Sequence, residues 1–347
     1  MLEPTGATAP GARIVRVLAV TNRKFEPETG AYGAQRTYTV ARQALDVSIP
    51  PGHKAGEIEW PDGANGDAAK TYVTLARRDL DEARFAEAVR QQAGKPGEVL
   101  VFVHGFNTRY AEAVFRMAQI SADSGFAGAH VVFSWPSQGE VTGYLRDRES
   151  ANFSRDELER LMRRLAATPG VRKIHLMAHS MGNWLAVEML RQAKVRGDME
   201  FGGKLGQVIL ASPDIDAQVF QSQADVIGPR NPPIIVFVSR NDRALNLSRR
   251  LAGDIPRVGA VALEDPKVKA AIAKNGMLVY DLSDVESSDR LNHGTFASAP
   301  GIIQNIGRQL NGSLTSGSAP GPGVFVLDAA GAVLEAPARV FGAVTGR

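Results

Sequence analysis

Short apolar runs alternate with helical patterns through the middle of the chain, and this alternation constrains the fold more than any other feature of the sequence. The strand-like runs lie at residues 99–103, 130–135, 173–178, 207–211, 234–239 and 277–282. Parallel strands that are covered on both faces have continuous apolar sequences of this kind. Alternation of such strands with helices predicts an α/β fold, in which helices cover both faces of a mostly parallel central sheet.

The two ends of the chain differ in composition from this alternating region. Residues 1–12 are rich in Pro, Gly and Ala and predict a linker, and residues 312–323 are rich in Gly, Ser and Pro and predict a second linker. Residues 324–347 are compatible with a short hairpin, a helix or a loose tail. We therefore expect one folded domain over residues 13–311, flanked by these segments.

The composition excludes several kinds of site and partner. The chain has 347 residues and no Cys, which excludes disulfides, thiolate zinc sites, iron–sulfur clusters and a cysteine nucleophile. Its 40 Lys and Arg against 37 Asp and Glu give a net charge of +3, too small for the basic surface that nucleic-acid binding requires. We therefore expect no nucleic-acid partner.

Neither a membrane span nor a signal peptide is predicted from the sequence. No apolar run approaches the ~18 residues that a transmembrane helix requires, and the N-terminus lacks the basic and apolar regions of a signal peptide. A cytoplasmic location is therefore the default expectation. A periplasmic or membrane-anchored protein would need an export segment in addition to this sequence.

The segment 174–183 carries the most specific chemical signal. An apolar run ends at Ala178, and Ser180 and Gly182 complete a small-x-Ser-x-Gly turn that leads into an amphipathic helix. In a nucleophile elbow, such a turn holds the serine in a strained conformation at the tip of a strand, and the small residues let strand and helix pass closely. The alternative interpretation is an ordinary strand–helix turn with a serine N-cap.

A second signal lies upstream, where His104 and Gly105 follow an apolar run. A His-Gly pair after a buried strand contributes one amide of the oxyanion hole in α/β-hydrolases. We therefore expect the backbone N–H groups of Phe106 and Met181 to hold the oxyanion, and His104 to be a structural loop residue.

A serine nucleophile needs a general base, and His293 is the candidate. The chain has six His, and His293 is the only one that follows Ser180, as the Ser, acid, His order of α/β-hydrolases requires. It lies in a polar loop beyond the last strand-like run. The alternative interpretation is a surface histidine without a catalytic role.

Two carboxylates compete for the role of the acid that orients the base. Asp242 follows the run 234–239, and we favour it because the acid usually follows the penultimate strand of this fold. Asp214 follows the preceding run and is the alternative acid, although it also suits the N-cap of a helix that starts near residue 215. Asp284 and Asp289 are less favoured because they lie in the loop of the base itself.

Several residues near the expected site are candidates for substrate binding. The segment 137–153 follows a strand-like run at the same edge of the sheet and predicts a lid or pocket wall. Trp135, Tyr144 and Phe153 are candidate substrate contacts together with His104, and ordinary packing is the alternative for each aromatic residue.

No metal or cofactor is predicted. His175 and His179 are four residues apart, but on a strand this spacing separates them by about 13 Å. That distance is too long for two ligands of one zinc ion.

Taken together, these motifs resemble the bacterial α/β-hydrolase family of esterase/lipase superfamily enzymes known as DUF900. The resemblance lies in His104-Gly105-Phe106-Asn107, Ser134-Trp135-Pro136-Ser137, Ala178-His179-Ser180-Met181-Gly182-Asn183, Ser212-Pro213-Asp214-Ile215-Asp216, Ser239-Arg240-Asn241-Asp242-Arg243 and Asn292-His293. The segments Thr21-Asn22-Arg23 and Glu57-Ile58-Glu59-Trp60-Pro61 also fit. The similarity extends from Arg13 to Asn311 and implies an α/β-hydrolase fold. It also implies a catalytic triad of Ser180, Asp242 and His293.

The predicted activity is that of a serine hydrolase that cleaves carboxylic esters, either small molecules or lipid-like ones, through an acyl-enzyme. A thioesterase, amidase or acyltransferase with the same triad is the alternative among enzymes. A non-catalytic α/β-hydrolase scaffold that binds a lipid or a protein is the alternative from a different class.

Overall fold

A sheet of eleven strands organises the part of the chain that the structure describes. The structure is a computed structural model, and it describes residues 2–63, 66–251, 253–286, 288–312, 325–327 and 333–335. The strands are β1 (Arg13–Glu26), β2 (Ala31–Ile49), β3 (Val73–Asp79), β4 (Glu98–Val103), β5 (Ala129–Ser134), β6 (Lys173–His179), β7 (Leu205–Ala211), β8 (Ile235–Val238), β9 (Leu278–Asp281), β10 (Phe325–Leu327) and β11 (Val333–Glu335). Their order in the sheet is β11-β10-β9-β8-β7-β6-β4-β5-β1-β2-β3.

Helices connect most of these strands. They are α1 (Glu82–Ala93), α2 (Tyr110–Ser124), α3 (Tyr144–Ala167), α4 (Met181–Val195), α5 (Ala217–Ile227), α6 (Arg243–Leu251), α7 (Pro266–Asn275), α8 (Thr295–Ser298) and α9 (Pro300–Leu310). Single 3₁₀ turns lie at Val141–Gly143 and Val258–Ala260. In the described ranges, no helix combines the length and the apolar composition that crossing a bilayer would require.

The central strands are parallel, which confirms the fold predicted from the apolar runs. The strands β5, β4, β6, β7, β8 and β9 form successive parallel pairs and coincide with the six runs. On one side β1 pairs parallel with β5 and antiparallel with β2, which pairs antiparallel with β3. On the other side β10 and β11 add antiparallel pairs beyond β9.

Alternate residues of each central strand face two apolar layers. On β4, Val99, Val101 and Val103 belong to one buried cluster, whereas Leu100 and Phe102 belong to the cluster on the opposite face. Helices α1, α3 and α4 cover the first layer, and α2 and α9 cover the second. A strand that is buried on both faces has no solvent-facing position, which explains why its sequence is continuously apolar.

The carboxyl ends of the parallel strands meet at one edge of the sheet. The loops after β4, β6, β8 and β9 lie at this edge and carry the residues that the sequence singles out. Ligands of open α/β sheets bind beyond the carboxyl ends of the strands. A binding site is therefore expected at this edge.

The ends of the chain contact the domain in several places. Near the N-terminus, Leu2 is buried and the Thr5 amide donates to the Thr74 carbonyl at 2.9 Å. Residues 325–327 pair with β9, as described above. Residues 313–323 of the predicted second linker lie outside the described residues, and the domain boundaries stay a prediction.

Candidate active site

Ser180 lies in the tight turn between β6 and α4. Its backbone has φ 53° and ψ −124°, a strained conformation for a residue with a side chain. The Ser180 amide donates to the Ala211 carbonyl at 3.0 Å, and the Ser180 carbonyl accepts from the amides of Asn183 at 3.0 Å and Asp214 at 3.2 Å. These bonds to β7, α4 and the loop after β7 hold the strained turn in place.

Two glycines allow the backbone segments around this turn to approach closely. A Cβ atom on Gly182 would lie 2.3 Å from the His104 carbonyl oxygen and 2.7 Å from that of Val103. A Cβ atom on Gly105 would lie 2.8 Å from the Cβ of Ser180. The small-x-Ser-x-Gly pattern therefore has a steric cause, because α4 begins against the loop after β4.

Asp242 and His293 form a buried hydrogen bond. The Asp242 side chain is fully buried, and its Oδ2 lies 2.7 Å from His293 Nδ1. Its Oδ1 accepts from the Leu245 amide at 2.9 Å, which fixes the carboxylate at the start of α6. Because a carboxylate can only accept, the proton of the imidazole is on Nδ1, and Nε2 carries the lone pair.

The carboxylate of Asp289 holds the backbone of the loop that carries His293. Asp289 Oδ2 accepts from the amides of His293 at 2.6 Å and Gly294 at 2.5 Å, and its Oδ1 accepts from the Leu291 amide at 3.0 Å. From the sequence, Asp289 was only a less favoured candidate for the triad acid, and this role was not predicted. The bond from the Leu291 amide, two residues on, is the Asx turn that an Asp in a polar loop favours.

His179 supports the same loop from the strand side. Its Nε2 lies 3.0 Å from the His293 carbonyl oxygen, and the two rings pack with centroids 4.6 Å apart. A carbonyl can only accept, so Nε2 of His179 is the donor. Burial and the nearby His293 hold the pKa of His179 well below its usual range, so that ring is neutral. His293 therefore packs against the residue that precedes Ser180.

The pKa of His293 reflects two opposing effects. Burial alone would lower it, but the hydrogen bond to Asp242 and the charges of Asp242, Asp214 and Asp289 outweigh burial and raise the pKa above the ordinary 6.5. The raised pKa means that His293 gains a proton more readily than a free imidazole. A general base needs this property, because it must accept a proton from the group that it activates.

Asp214, the alternative acid, is engaged elsewhere. Its Oδ2 accepts from the Tyr144 hydroxyl at 3.0 Å, its Oδ1 accepts from the Ser248 hydroxyl at 2.5 Å, and Arg257 Nε lies 3.3 Å from Oδ1. No hydrogen bond between Asp214 and His293 occurs among the described residues. Asp214 is not a helix N-cap either, because α5 begins at Ala217 and its cap is Asp216.

Two backbone amides beside Ser180 could hold a negatively charged oxygen. Met181 is the first residue of α4, so its N–H has no acceptor within the helix, and Phe106 follows Gly105 in the loop after β4. Within the described residues, neither amide donates a hydrogen bond. Both N–H groups are therefore available to a ligand, and the N-terminal end of α4 adds positive partial charge there.

The four candidate substrate contacts have different surroundings. The rings of His104 and Trp135 are buried and stack with centroids 5.0 Å apart, and Trp135 Nε1 donates to the His104 carbonyl at 2.8 Å. Tyr144 packs edge-on against Phe106 at 5.4 Å, whereas Phe153 packs against a tyrosine of β2. The segment 137–153, predicted as a lid or pocket wall, continues into α3. Of the four, Tyr144 thus lies against the loop that carries a candidate oxyanion amide.

The described residues contain no cluster of three or more His, Cys, Asp or Glu side chains that could hold a metal ion. His175 Nδ1 accepts from the Gln207 amide at 3.0 Å, and His179 contacts the loop of His293, so each has a structural partner.

Comparison with known proteins assigns the family. A family model described as "Alpha/beta hydrolase of unknown function (DUF900)" matches residues 78–311. The chain belongs to this family. The match confirms the resemblance seen in the motifs and, together with the parallel sheet, the α/β-hydrolase fold.

The individual proteins to which the chain is similar differ from it strongly in sequence. An uncharacterised protein of Nostoc sp. strain PCC 7120 is 41% identical over 64 residues, which are 18% of this chain and 17% of that protein. An esterase of Pyrobaculum calidifontis is 12% identical in sequence, with a TM-score of 0.37 over 87% of this chain and 86% of that one. The siderophore hydrolase EstB of Aspergillus nidulans is 14% identical, with a TM-score of 0.38 over 89% and 97%.

The substitution Gly182→Ala is expected to destabilise the protein by about 1–3 kcal/mol, the usual cost of an extra methyl group in a packed region. Its Cβ would meet two backbone oxygens, which cannot rotate aside as a side chain could. The matched control is Gly301→Ala in α9, where nothing lies within 4 Å of the added Cβ. The control should be neutral or stabilised by up to ~1 kcal/mol. Urea denaturation followed by circular dichroism measures both, and wild-type stability of the Gly182 variant would contradict the steric argument.

The substitution Asp242→Asn is expected to lower the pKa of His293, because it removes the charge that offsets burial. Asp214→Asn should lower this pKa less, because Asp214 acts only through its more distant charge. NMR titration of the imidazole C–H resonances, assigned with a His293→Gln variant, measures both shifts. A larger decrease in the Asp214 variant would show that the wrong carboxylate has been paired with His293.

Proposed function

We propose that this protein is a serine hydrolase of carboxylic esters, with Ser180 as nucleophile, His293 as general base and Asp242 as the acid that orients the base. The bond between Asp242 and His293 Nδ1 carries the proposal. It assigns the imidazole the tautomer whose Nε2 can accept a proton, and His293 packs beside the strained turn that presents Ser180.

The reaction then proceeds through an acyl-enzyme. Ser180 Oγ attacks the acyl carbon while His293 Nε2 takes the hydroxyl proton, and the amides of Phe106 and Met181 hold the oxyanion. Collapse of the tetrahedral intermediate breaks the bond to the alcohol oxygen, which receives the proton from Nε2. Water then attacks the acyl-enzyme while the same nitrogen takes its proton. Collapse of the second tetrahedral intermediate breaks the bond to Ser180 Oγ, which receives that proton from Nε2, and releases the carboxylic acid.

Exposed apolar side chains at the same edge of the sheet support an ester with an apolar chain. Leu145, Leu247 and Leu291 are exposed by 74%, 48% and 52%. A hydrogen bond of 2.9 Å between the hydroxyls of Tyr144 and Ser248 places the start of α3 beside α6. The Leu291 carbonyl accepts a hydrogen bond at 2.9 Å from the amide of Arg243, at the start of α6. These two bonds bring together the segments that carry the three exposed leucines, beside Asp242 and the loop of His293. Exposed apolar side chains on neighbouring segments favour an apolar ligand.

A fluorophosphonate probe is expected to label the wild-type protein but not Ser180→Ala, because the probe reacts with an activated serine. Mass spectrometry of the labelled peptide identifies the modified residue. Absence of labelling in folded wild-type protein would refute the proposed function. As a graded control, Asp242→Asn should keep Ser180 but lower kcat on p-nitrophenyl acetate by up to ~10⁴, the scale known for loss of a triad aspartate.

Replacement of the exposed leucines should change the preference for chain length. Leu145→Ser and Leu291→Ser are expected to lower kcat/KM for p-nitrophenyl decanoate about fivefold, as the partial loss of one leucine contact predicts. The value for p-nitrophenyl acetate should stay unchanged. Val195→Ser is the matched control, because Val195 is 64% exposed at the far end of α4. Equal effects on the two esters would contradict an apolar chain-binding surface.

A further inference from the structure

The side chain of Arg23, near the carboxyl end of β1, is buried without a carboxylate in hydrogen-bond contact. Arg23 is 2% exposed, and its Nε donates to Ser134 Oγ at 3.0 Å. Its Nη1 donates to the carbonyls of Gly33 at 3.1 Å and Ser137 at 2.8 Å. Its Nη2 donates to the Thr108 carbonyl at 2.7 Å. The guanidinium therefore ties the β1–β2 hairpin to the ends of β4 and β5, which lie next to Ser180.

The directions of the hydrogen bonds that lead away from Arg23 are fixed by chemistry. The Gly105 carbonyl can only accept, so His104 Nδ1 carries the proton and donates to it at 2.8 Å. Nε2 of the neutral ring then accepts from the Ser134 hydroxyl at 3.2 Å, and Arg23 Nη2 lies 3.5 Å from the same Nε2. Ser134 Oγ in turn accepts from Arg23 Nε, because an arginine can only donate. Burial and the charge of Arg23 lower the pKa of His104 to about 3, so the ring is neutral and has this single tautomer.

The Gly105 carbonyl belongs to the same peptide plane as the Phe106 N–H. In a trans peptide these two groups point in opposite directions, so a partner that holds the carbonyl also sets the direction of the N–H. If the proton of His104 were on Nε2, the lone pair of Nδ1 would face the lone pairs of the Gly105 oxygen. Repulsion would then favour rotation of this peptide plane and would turn the Phe106 N–H away from Ser180.

Asp147 holds the next part of the same loop with the opposite charge. Its carboxylate accepts from the Ser137 hydroxyl at 2.5 Å and from the Gln138 amide at 2.8 Å, and Ser137 Oγ accepts from the Thr108 amide at 3.1 Å. Asn107 has a φ of 53°, which a residue with a side chain adopts only when its surroundings hold it there. Thr108, in the loop after Phe106, is therefore held on both sides, its amide by Ser137, which donates to Asp147, and its carbonyl by Arg23.

We propose that Arg23, Ser134 and His104 form a positioning chain that sets the direction of the Phe106 N–H and thereby forms the oxyanion hole. The inference deepens the proposed function and rests on it, because an oxyanion hole has a purpose only if Ser180 attacks a carbonyl. The three residues act through the backbone and do not touch the substrate. The buried charge of Arg23 also favours negative charge on the oxygen that the loop binds.

Ser134→Ala is the decisive variant, because it removes the hydroxyl between Arg23 and His104 in the positioning chain and changes the side-chain volume little. It is expected to lower kcat on a p-nitrophenyl ester on the order of tenfold or more while KM stays nearly constant, since loss of a whole oxyanion donor costs about 10²–10³ in kcat. Affinity for an alkyl boronic acid, which forms a tetrahedral adduct with the serine, should fall by the same factor as kcat/KM.

Two further variants test whether the tautomer of His104, and not only the packing of its ring, sets the direction of the Phe106 N–H. His104→Asn can place an amide N–H near the former Nδ1 and should retain more kcat than His104→Leu, which has no donor. Arg23→Lys keeps the charge but loses the forked geometry, so it should resemble Ser134→Ala in kcat and be less stable.

Arg230→Lys is the matched control for the loss of a buried arginine. Arg230 donates to the carbonyls of Gly206 at 2.9 Å, Pro232 at 2.8 Å and Leu205 at 3.0 Å, at the opposite edge of the sheet, and its side chain is 2% exposed. Unlike Arg23, it also pairs with a carboxylate, that of Glu200 at 3.1 Å. This variant should lose stability in urea but keep wild-type kcat and boronic acid affinity.

The outcomes separate this inference from the function on which it rests. Wild-type protein that neither hydrolyses esters nor reacts with a fluorophosphonate overturns both. An active wild type whose folded Ser134→Ala variant keeps its kcat and its boronic acid affinity overturns the positioning chain alone. A decrease in kcat and in boronic acid affinity, with KM and the Arg230 control unchanged, supports it.

Discussion

The strained backbone of Ser180 is the constraint on which the rest of the site depends. A positive φ at a residue with a side chain is unfavourable, so it persists only where neighbouring groups hold it. Here the Ser180 amide donates to the Ala211 carbonyl, and the amides of Asn183 and Asp214 donate to the Ser180 carbonyl. Strands β6 and β7 and helix α4 must therefore all be in place before the serine can be presented, which couples the site to the core of the sheet.

Three buried histidines around this turn differ in the charge that lies nearest to each ring. His104 and His179 lose solvent contact without gaining a carboxylate, so their pKa values fall, and each neutral ring donates to one backbone carbonyl. His293 is buried as well, but the Asp242 carboxylate offsets the loss of solvent and raises its pKa. The residue type is the same in all three cases, and the nearest charge decides whether the ring can act as a base or serves to hold a loop.

Local patterns were sufficient to predict the sheet and the turn, because both arise from neighbouring residues. The six apolar runs became β4 to β9 since a strand buried on both faces requires an apolar side chain at every position. The roles of His179 and Arg23 could not be predicted in this way. His179 and its partner His293 are 114 residues apart in the sequence, and Arg23 and Thr108 are 85 apart. Neither hydrophobic periodicity nor motif spacing reports a contact of that kind.

By itself, the sequence determined the order of strands and helices, the turn around Ser180 and the one histidine that follows it. Only the tertiary structure decided which carboxylate faces that histidine. The order of strands along the chain favoured Asp242, but Asp214 also follows a strand at the same edge, so the sequence left it open as the alternative. Folding brings Tyr144, Ser248 and Arg257 to Asp214 from three separate segments. These partners occupy the Asp214 carboxylate, and Asp242 is the acid that remains within hydrogen-bond distance of His293.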